Sequence, residues 1–120
     1  MKISITAQEA DMNAPVDPRF GRARFFIVAD TEKEGFEAID NSVNLNASQG
    51  AGIQAGRKVV ELGVEAVLTG HVGPKAFATL QAEGVSVYTG ATGTVAEALE
   101  QFKAGALHRQ EAADVEGHWA

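Results

Sequence analysis

Residues 50–74 read "GAGIQAGRKVVELGVEAVLTGHVGP", and this run decides the fold class. Ala51, Ala55, Val59 and Leu62 fall on one stripe at helical spacing. Gln54, Arg57, Lys58 and Glu61 fall on another, so Gly50 to Leu62 is predicted to be an amphipathic helix. Ser48 suits its N-cap and Gly63 its left-handed stop. "EAVLTG" then reads as a buried strand, and Pro74 suits the first position of a second helix, which runs to Glu83 and stops at Gly84.

Upstream, apolar residues alternate over Lys2 to Thr6, "FFIVAD" (Phe25 to Asp30) forms a second strand and "GFEAID" (Gly35 to Asp40) a third. The short "TEKE" connection makes the last two antiparallel. Downstream, "VSVY" is a strand, and Thr94 with Glu97 has capping-box spacing before a helix with Val95, Leu99 and Phe102 on its apolar stripe. Gly105 ends that helix. The order βββαβαβα predicts an α/β fold with a mixed five-stranded sheet flanked by helices. Residues 1–107 are read as one domain, and 108–120 as a polar tail with Trp119 docked somewhere.

Composition narrows the function. The chain has 120 residues, 45% of them hydrophobic, which suits one globular domain. A net charge of −6 argues against general nucleic-acid binding and against adhesion to anionic membranes. The polar start "MKISITAQ" does not read as a signal peptide, so a cytoplasmic location is expected. With 0 cysteines there is no thiolate nucleophile and no sulfur-based metal site.

If strands one, three, four and five are parallel, four segments leave one sheet edge: Ala7 to Arg24, Asn41 to Gly50, Thr69 to Gly73 and Thr89 to Gly93. Ligands favour that edge in open α/β sheets. Three of the four enter helices through glycine-rich turns, "SQGAG", "TGHVGP" and "TGATGT". Free N–H groups and the helix dipole favour anions there, and Gly50, Gly52, Gly73 and Gly93 let a bulky ligand approach. The remaining segment adds Arg19, Arg22 and Arg24. These arginines have a plainer reading as solvated charges or as partners of Asp11 and Asp17. The turns fit neither the phosphate-loop nor the dinucleotide fingerprint. No carboxylate set for two metals, nucleophile elbow or other catalytic constellation is recognisable, so the residues favour binding over turnover.

"PVDPRFGRARFFIVAD" followed by "GAGIQAGRKVVELGVEAVLTGHVGPKAFATLQAEGVSVY" resembles the dinitrogenase iron–molybdenum cofactor biosynthesis family. The resemblance spans roughly residues 1 to 107. It implies a ribonuclease H-like fold and a non-enzymatic carrier or scaffold for a metal–sulfur cofactor. For the small cysteine-free form it implies a molybdenum–copper sulfide cluster or thiomolybdate, held non-covalently, with another metal–sulfur cluster as the wider class. Such a cluster brings its own sulfides, so a protein without thiolates needs only a pocket for a soft anion. Arg19, Arg22, Arg24, Lys75 and His71 are the side chains expected to provide it, beside the glycine turns. His71 is expected to donate a hydrogen bond to sulfide or to ligate metal, an imidazole being a good copper ligand. The other readings are an interaction module with an empty pocket, its protein partners unknown, and an enzyme acting on a phosphorylated small molecule.

Overall fold

The computed structural model describes residues 1–44 and 50–111. The elements in order are β1 (Lys2–Ala7), β2 (Phe25–Asp30), β3 (Phe36–Asp40), α1 (Ala51–Glu61), β4 (Ala66–Leu68), α2 (Pro74–Ala82), β5 (Ser86–Thr89), α3 (Val95–Lys103) and β6 (His108–Arg109). A 3₁₀ turn, Ser42–Asn44, follows β3. The proposed cap Ser48 and the docking of Trp119 lie outside the described residues. Among those described, no helix is long and apolar enough to cross a membrane.

The sheet order is β3-β2-β1-β4-β5-β6. β1 runs parallel to β4, and β4 to β5, while β2 is antiparallel to both β1 and β3. Strands β1, β3, β4 and β5 therefore share one direction, and their carboxyl ends share one edge. The expected five strands become six. β6 pairs antiparallel with β5, through Tyr88 and Arg109 and through Thr89 and His108. Gln110 extends the pairing by donating its backbone N–H to Val87 O at 2.8 Å. β6 lies within the stretch 108–120 that the sequence reads as a polar tail. Two residues without apolar alternation carry no strand signal, and β6 exists because β5 offers it an open edge.

Alternation along the strands supplies two cores. Ile3, Ile5 and Ala7 of β1 pack with Ile27, Leu68, Val95 and Ala98 on the α3 face. Phe26, Val28, Val67 and Val87 pack with Val59, Ala76, Phe77 and Leu80 on the face covered by α1 and α2. Phe20 lies in this second core, stacked on Phe26 at 5.6 Å, so the arginine segment is pinned by an aromatic anchor. Ser4 is fully buried in mid-sheet, and among the described residues its hydroxyl has no hydrogen-bond partner.

Helix punctuation follows the sequence closely. Gly63 has φ 75° just beyond α1, a left-handed stop that costs glycine nothing. Thr94 and Glu97 form the full capping box of α3. β4 is shorter than "EAVLTG", although Thr69 N–H still donates to Tyr88 O of β5 at 3.0 Å.

Candidate functional site

The chain after β1 doubles back over the carboxyl edge. Asp17 N–H donates to Thr6 O at 2.9 Å, and Thr6 Oγ1 donates to Asp17 O at 2.7 Å. Thr6 Oγ1 also lies 2.9 Å from Thr69 Oγ1, and both threonines are fully buried. Thr6 has one hydroxyl proton and the Asp17 carbonyl takes it, so the Thr69 proton closes the second bond. This ladder welds β1, the start of the arginine segment and the turn after β4 at the β1–β4 boundary.

Two further bonds build the centre of the edge. His71 N–H donates to Pro18 O at 2.7 Å, and Phe20 N–H donates to His71 O at 3.2 Å. They form a short parallel bridge with Arg19 directly opposite His71. Paired residues on a bridge project to the same side, so residues 52 positions apart in sequence present a guanidinium and an imidazole together. The close approach depends on Gly70. A Cβ there would lie 2.7 Å from Pro18 Cα and 2.8 Å from Pro18 O.

The three arginines are placed differently. Arg19 is exposed, and its backbone N–H donates to Asp17 Oδ1 at 3.0 Å. Asp17 is only 7% exposed, and burial pushes its carboxyl above the ordinary value, against the lowering effect of the Arg19 N–H and charge. The expected Asp17–Arg19 pairing therefore runs through the main chain as well as through charge. Arg22 is half-buried and donates from Nη1 to Asn44 O at 3.4 Å. Arg24 is exposed, with its guanidinium 5.6 Å from the Phe25 ring centroid. It also helps hold the Asp40 carboxyl below its ordinary value, where the main cause is hydrogen bonding from Ser42. Asp11 is occupied locally, accepting from Asn13 N–H at 2.8 Å.

The helix N-termini also separate. At α3, Val95 N–H donates to Ala14 O, Ala96 N–H to Met12 O, and Glu97 N–H to Thr94 Oγ1. The Glu97 carboxylate accepts from Thr94 N–H and sits where any Gly93 side chain would go. Thus α3 carries its own anion, and Gly93 faces a carboxylate rather than an open cradle. The other two differ. Gly50 and Gly73 are their caps and supply no side-chain bond. Among the described residues, nothing accepts from Ala51 to Ile53, or from Lys75 and Ala76. Gly52 and Gly73 are buried there, and Lys75 is exposed in the first turn of α2. α1 and α2 pack on one face of the sheet, with Gly56 of α1 against Thr79 of α2. Their N-termini therefore open on the edge that carries Arg19 and His71.

Among the described residues, no three His, Cys, Asp or Glu side chains gather to hold a metal ion. Sequence reasoning missed the buried polar residues Thr6, Thr69, Asp17, Asn41 and Asn44. The available signal was a polar residue ending an apolar strand, as in "SIT", "VLT" and "AIDN".

A family profile described as dinitrogenase iron-molybdenum cofactor matches residues 1–105. The chain belongs to this family. Among solved structures it is similar to the apo form of the orange protein from Desulfovibrio gigas. That likeness has a TM-score of 0.91 and 37% identity, and covers 95% of this chain and 96% of that one. It is also similar to a NifB-like protein of the DUF35 family from Thermotoga, with a TM-score of 0.83 and 35% identity over 97% of this chain and 98% of the other. An uncharacterised protein of Methanocaldococcus jannaschii is 28% identical over 102 residues, covering 82% of this chain and 86% of that protein. Membership in the family agrees with a role connected to metal cofactors or clusters.

Proposed function

We propose that this protein is a non-enzymatic carrier that holds an anionic metal–sulfide cluster at the carboxyl edge of its sheet, with a molybdenum–copper sulfide as cargo. The observation that carries the reading is the backbone bridge that sets Arg19 against His71 beside the glycine-capped N-termini of α1 and α2. A sulfide cluster is bulky, soft and negative. N–H groups, a guanidinium and an imidazole are suitable donors to it. A chain with 0 cysteines displaces none of its sulfides, so cargo bound here stays releasable. Arg22 and Lys75 add charge, Arg24 lies on the flank beside Phe25, and His71 either donates to sulfide or ligates copper. The strand order β3-β2-β1-β4-β5, with β2 alone antiparallel within it, supports a ribonuclease H-like classification.

The test is retention of colour. Purified protein is given tetrathiomolybdate, then copper, and desalted, and the visible spectrum and metal content of the protein fraction are recorded. We expect sulfide-to-metal charge-transfer bands at a fixed molybdenum-to-copper ratio, weakening as salt rises. Arg19→Ala and His71→Ala should each lower retention by about tenfold, the scale of one lost charge-assisted bond. Colourless wild-type protein, or retention unchanged in both variants, would sink the reading.

A further inference from the structure

Asn41 and Asn44 close a ring of hydrogen bonds at the base of the arginine segment. Asn41 is 1% exposed. Its backbone N–H donates to Arg24 O at 2.7 Å, and its Nδ2 donates to Ala23 O, also at 2.7 Å. Its Oδ1 accepts from Asn44 Nδ2 at 2.7 Å. Asn44 is 9% exposed, its N–H donates to Asn41 O at 3.0 Å, and its carbonyl accepts from Arg22 Nη1 at 3.4 Å. The path leaves the chain at the side chain of residue 22 and returns to its backbone at residue 23.

Most of this ring has a purely architectural use. It extends the β2–β3 ladder by one residue and satisfies the Ala23 carbonyl, which a buried strand end requires. The Asn44 carbonyl is different, because its partner is a charged side chain at the sheet edge. A carbonyl held by a neighbouring amide is a fixed acceptor, and a fixed acceptor limits the rotamers of the guanidinium it meets.

We propose that Asn41 and Asn44 are positioning residues for Arg22, ordering its guanidinium before an anion arrives. The proposal rests on the carrier reading of this edge. Free arginine loses much rotamer freedom on binding, and an arginine ordered beforehand loses less. Asn44→Ala keeps the carbonyl but removes the amide that steadies it, and is the milder change. Asn41→Ala removes two side-chain bonds at once.

The experiment is a spectroscopic titration with tetrathiomolybdate of wild type, Asn44→Ala, Arg22→Ala and the double variant. Asn44→Ala should weaken binding about three- to tenfold when Arg22 is present, the factor that pre-ordering one long side chain is worth. In the Arg22→Ala background the same change should cost less than about twofold, because the residue acts through Arg22. Equal losses in both backgrounds would mean a general loosening and would overturn the proposal. Nitrogen relaxation of the Arg22 Nε–Hε group, measured without ligand, gives the second readout. It should show less order in Asn44→Ala than in wild type, and equal order would also overturn the proposal. If wild type binds no tetrathiomolybdate, the carrier reading falls, and the relaxation comparison still decides whether these amides order Arg22.

Discussion

Replacing Gly70 by alanine puts a methyl group 2.7 Å from Pro18 Cα and 2.8 Å from Pro18 O. Carbon atoms in contact prefer about 3.5–4.0 Å, so the overlap is roughly 1 Å. Both obstructing atoms are backbone, and no side chain can swing aside. The turn after β4 and the arginine segment must therefore separate by about that distance. The His71 N–Pro18 O bond, now 2.7 Å, would then pass out of hydrogen-bonding range, and the 3.2 Å Phe20 N–His71 O bond would go with it. Overpacking of this kind costs about 1–3 kcal/mol, and two lost hydrogen bonds about 1 kcal/mol each. The strain is partly relieved by breaking a bond, so counting the overpacking with one lost bond gives an expected loss of about 2–4 kcal/mol. In a domain of this size each kcal/mol is worth roughly 3–5 °C, which gives a melting temperature lower by about 6–20 °C. The bridge also aligns Arg19 with His71, so tetrathiomolybdate retention should fall in the protein that stays folded. Gly84→Ala is the control. That residue has φ 75° and open space around its missing Cβ, so the cost is backbone strain of about 1–2 kcal/mol with retention unchanged. The assay is thermal and urea unfolding by circular dichroism, with the colour assay on the folded fraction. Gly70→Ala melting within about 2 °C of wild type, with full retention, would refute the steric argument.

Other expectations follow from the same geometry. Thr94→Ala should cost about 1 kcal/mol by urea unfolding through loss of the α3 capping box. It should leave tetrathiomolybdate binding unchanged, since the α3 N-terminus is already occupied by Glu97; a binding defect would return Gly93 to the site. Ser4→Ala removes a buried hydroxyl with no partner among the described residues, and should gain up to about 1 kcal/mol, a clear loss in the melt arguing against this. Asp17 has a raised carboxyl pKa in the folded state. Its contribution is most favourable below the ordinary carboxylate value and is lost as pH rises through the raised one. Asp17→Asn, whose amide oxygen can still accept the Arg19 N–H, should therefore be more stable than wild type at neutral pH. That difference should shrink on acidification towards pH ~4, and a wild-type advantage at neutral pH would contradict the assignment.

Much of the fold was legible because it rests on local rules. The stripe of Ala51, Ala55 and Val59, the box of Thr94 and Glu97, and the stop at Gly63 each operate within a few residues. β6 was not legible, since His108 and Arg109 carry no strand pattern and are strand only by pairing with β5. The site was legible in part. Residue types suited to anions, Arg19, Arg22, His71 and Lys75, were visible as types, and the topology brings their segments to one edge. The three glycine turns look alike in sequence, and only in the structure does Gly93 face the Glu97 carboxylate. What separates α3 from α1 and α2 is the Met12 and Ala14 carbonyls, which reach it from more than 80 residues upstream.

The sequence by itself determined the class of this protein. Apolar periodicity and glycine placement are short-range, and they set helices, strands and their order. The absence of cysteine is absolute, and it rules out thiolate ligation whatever the fold. Only the tertiary structure decided which groups meet. Arg19 faces His71 because Gly70 admits Pro18 at close range, and Arg22 meets Asn44 because β3 ends in a 3₁₀ turn beside it. Those contacts depend on distances between segments far apart in the chain, and no local pattern encodes such distances.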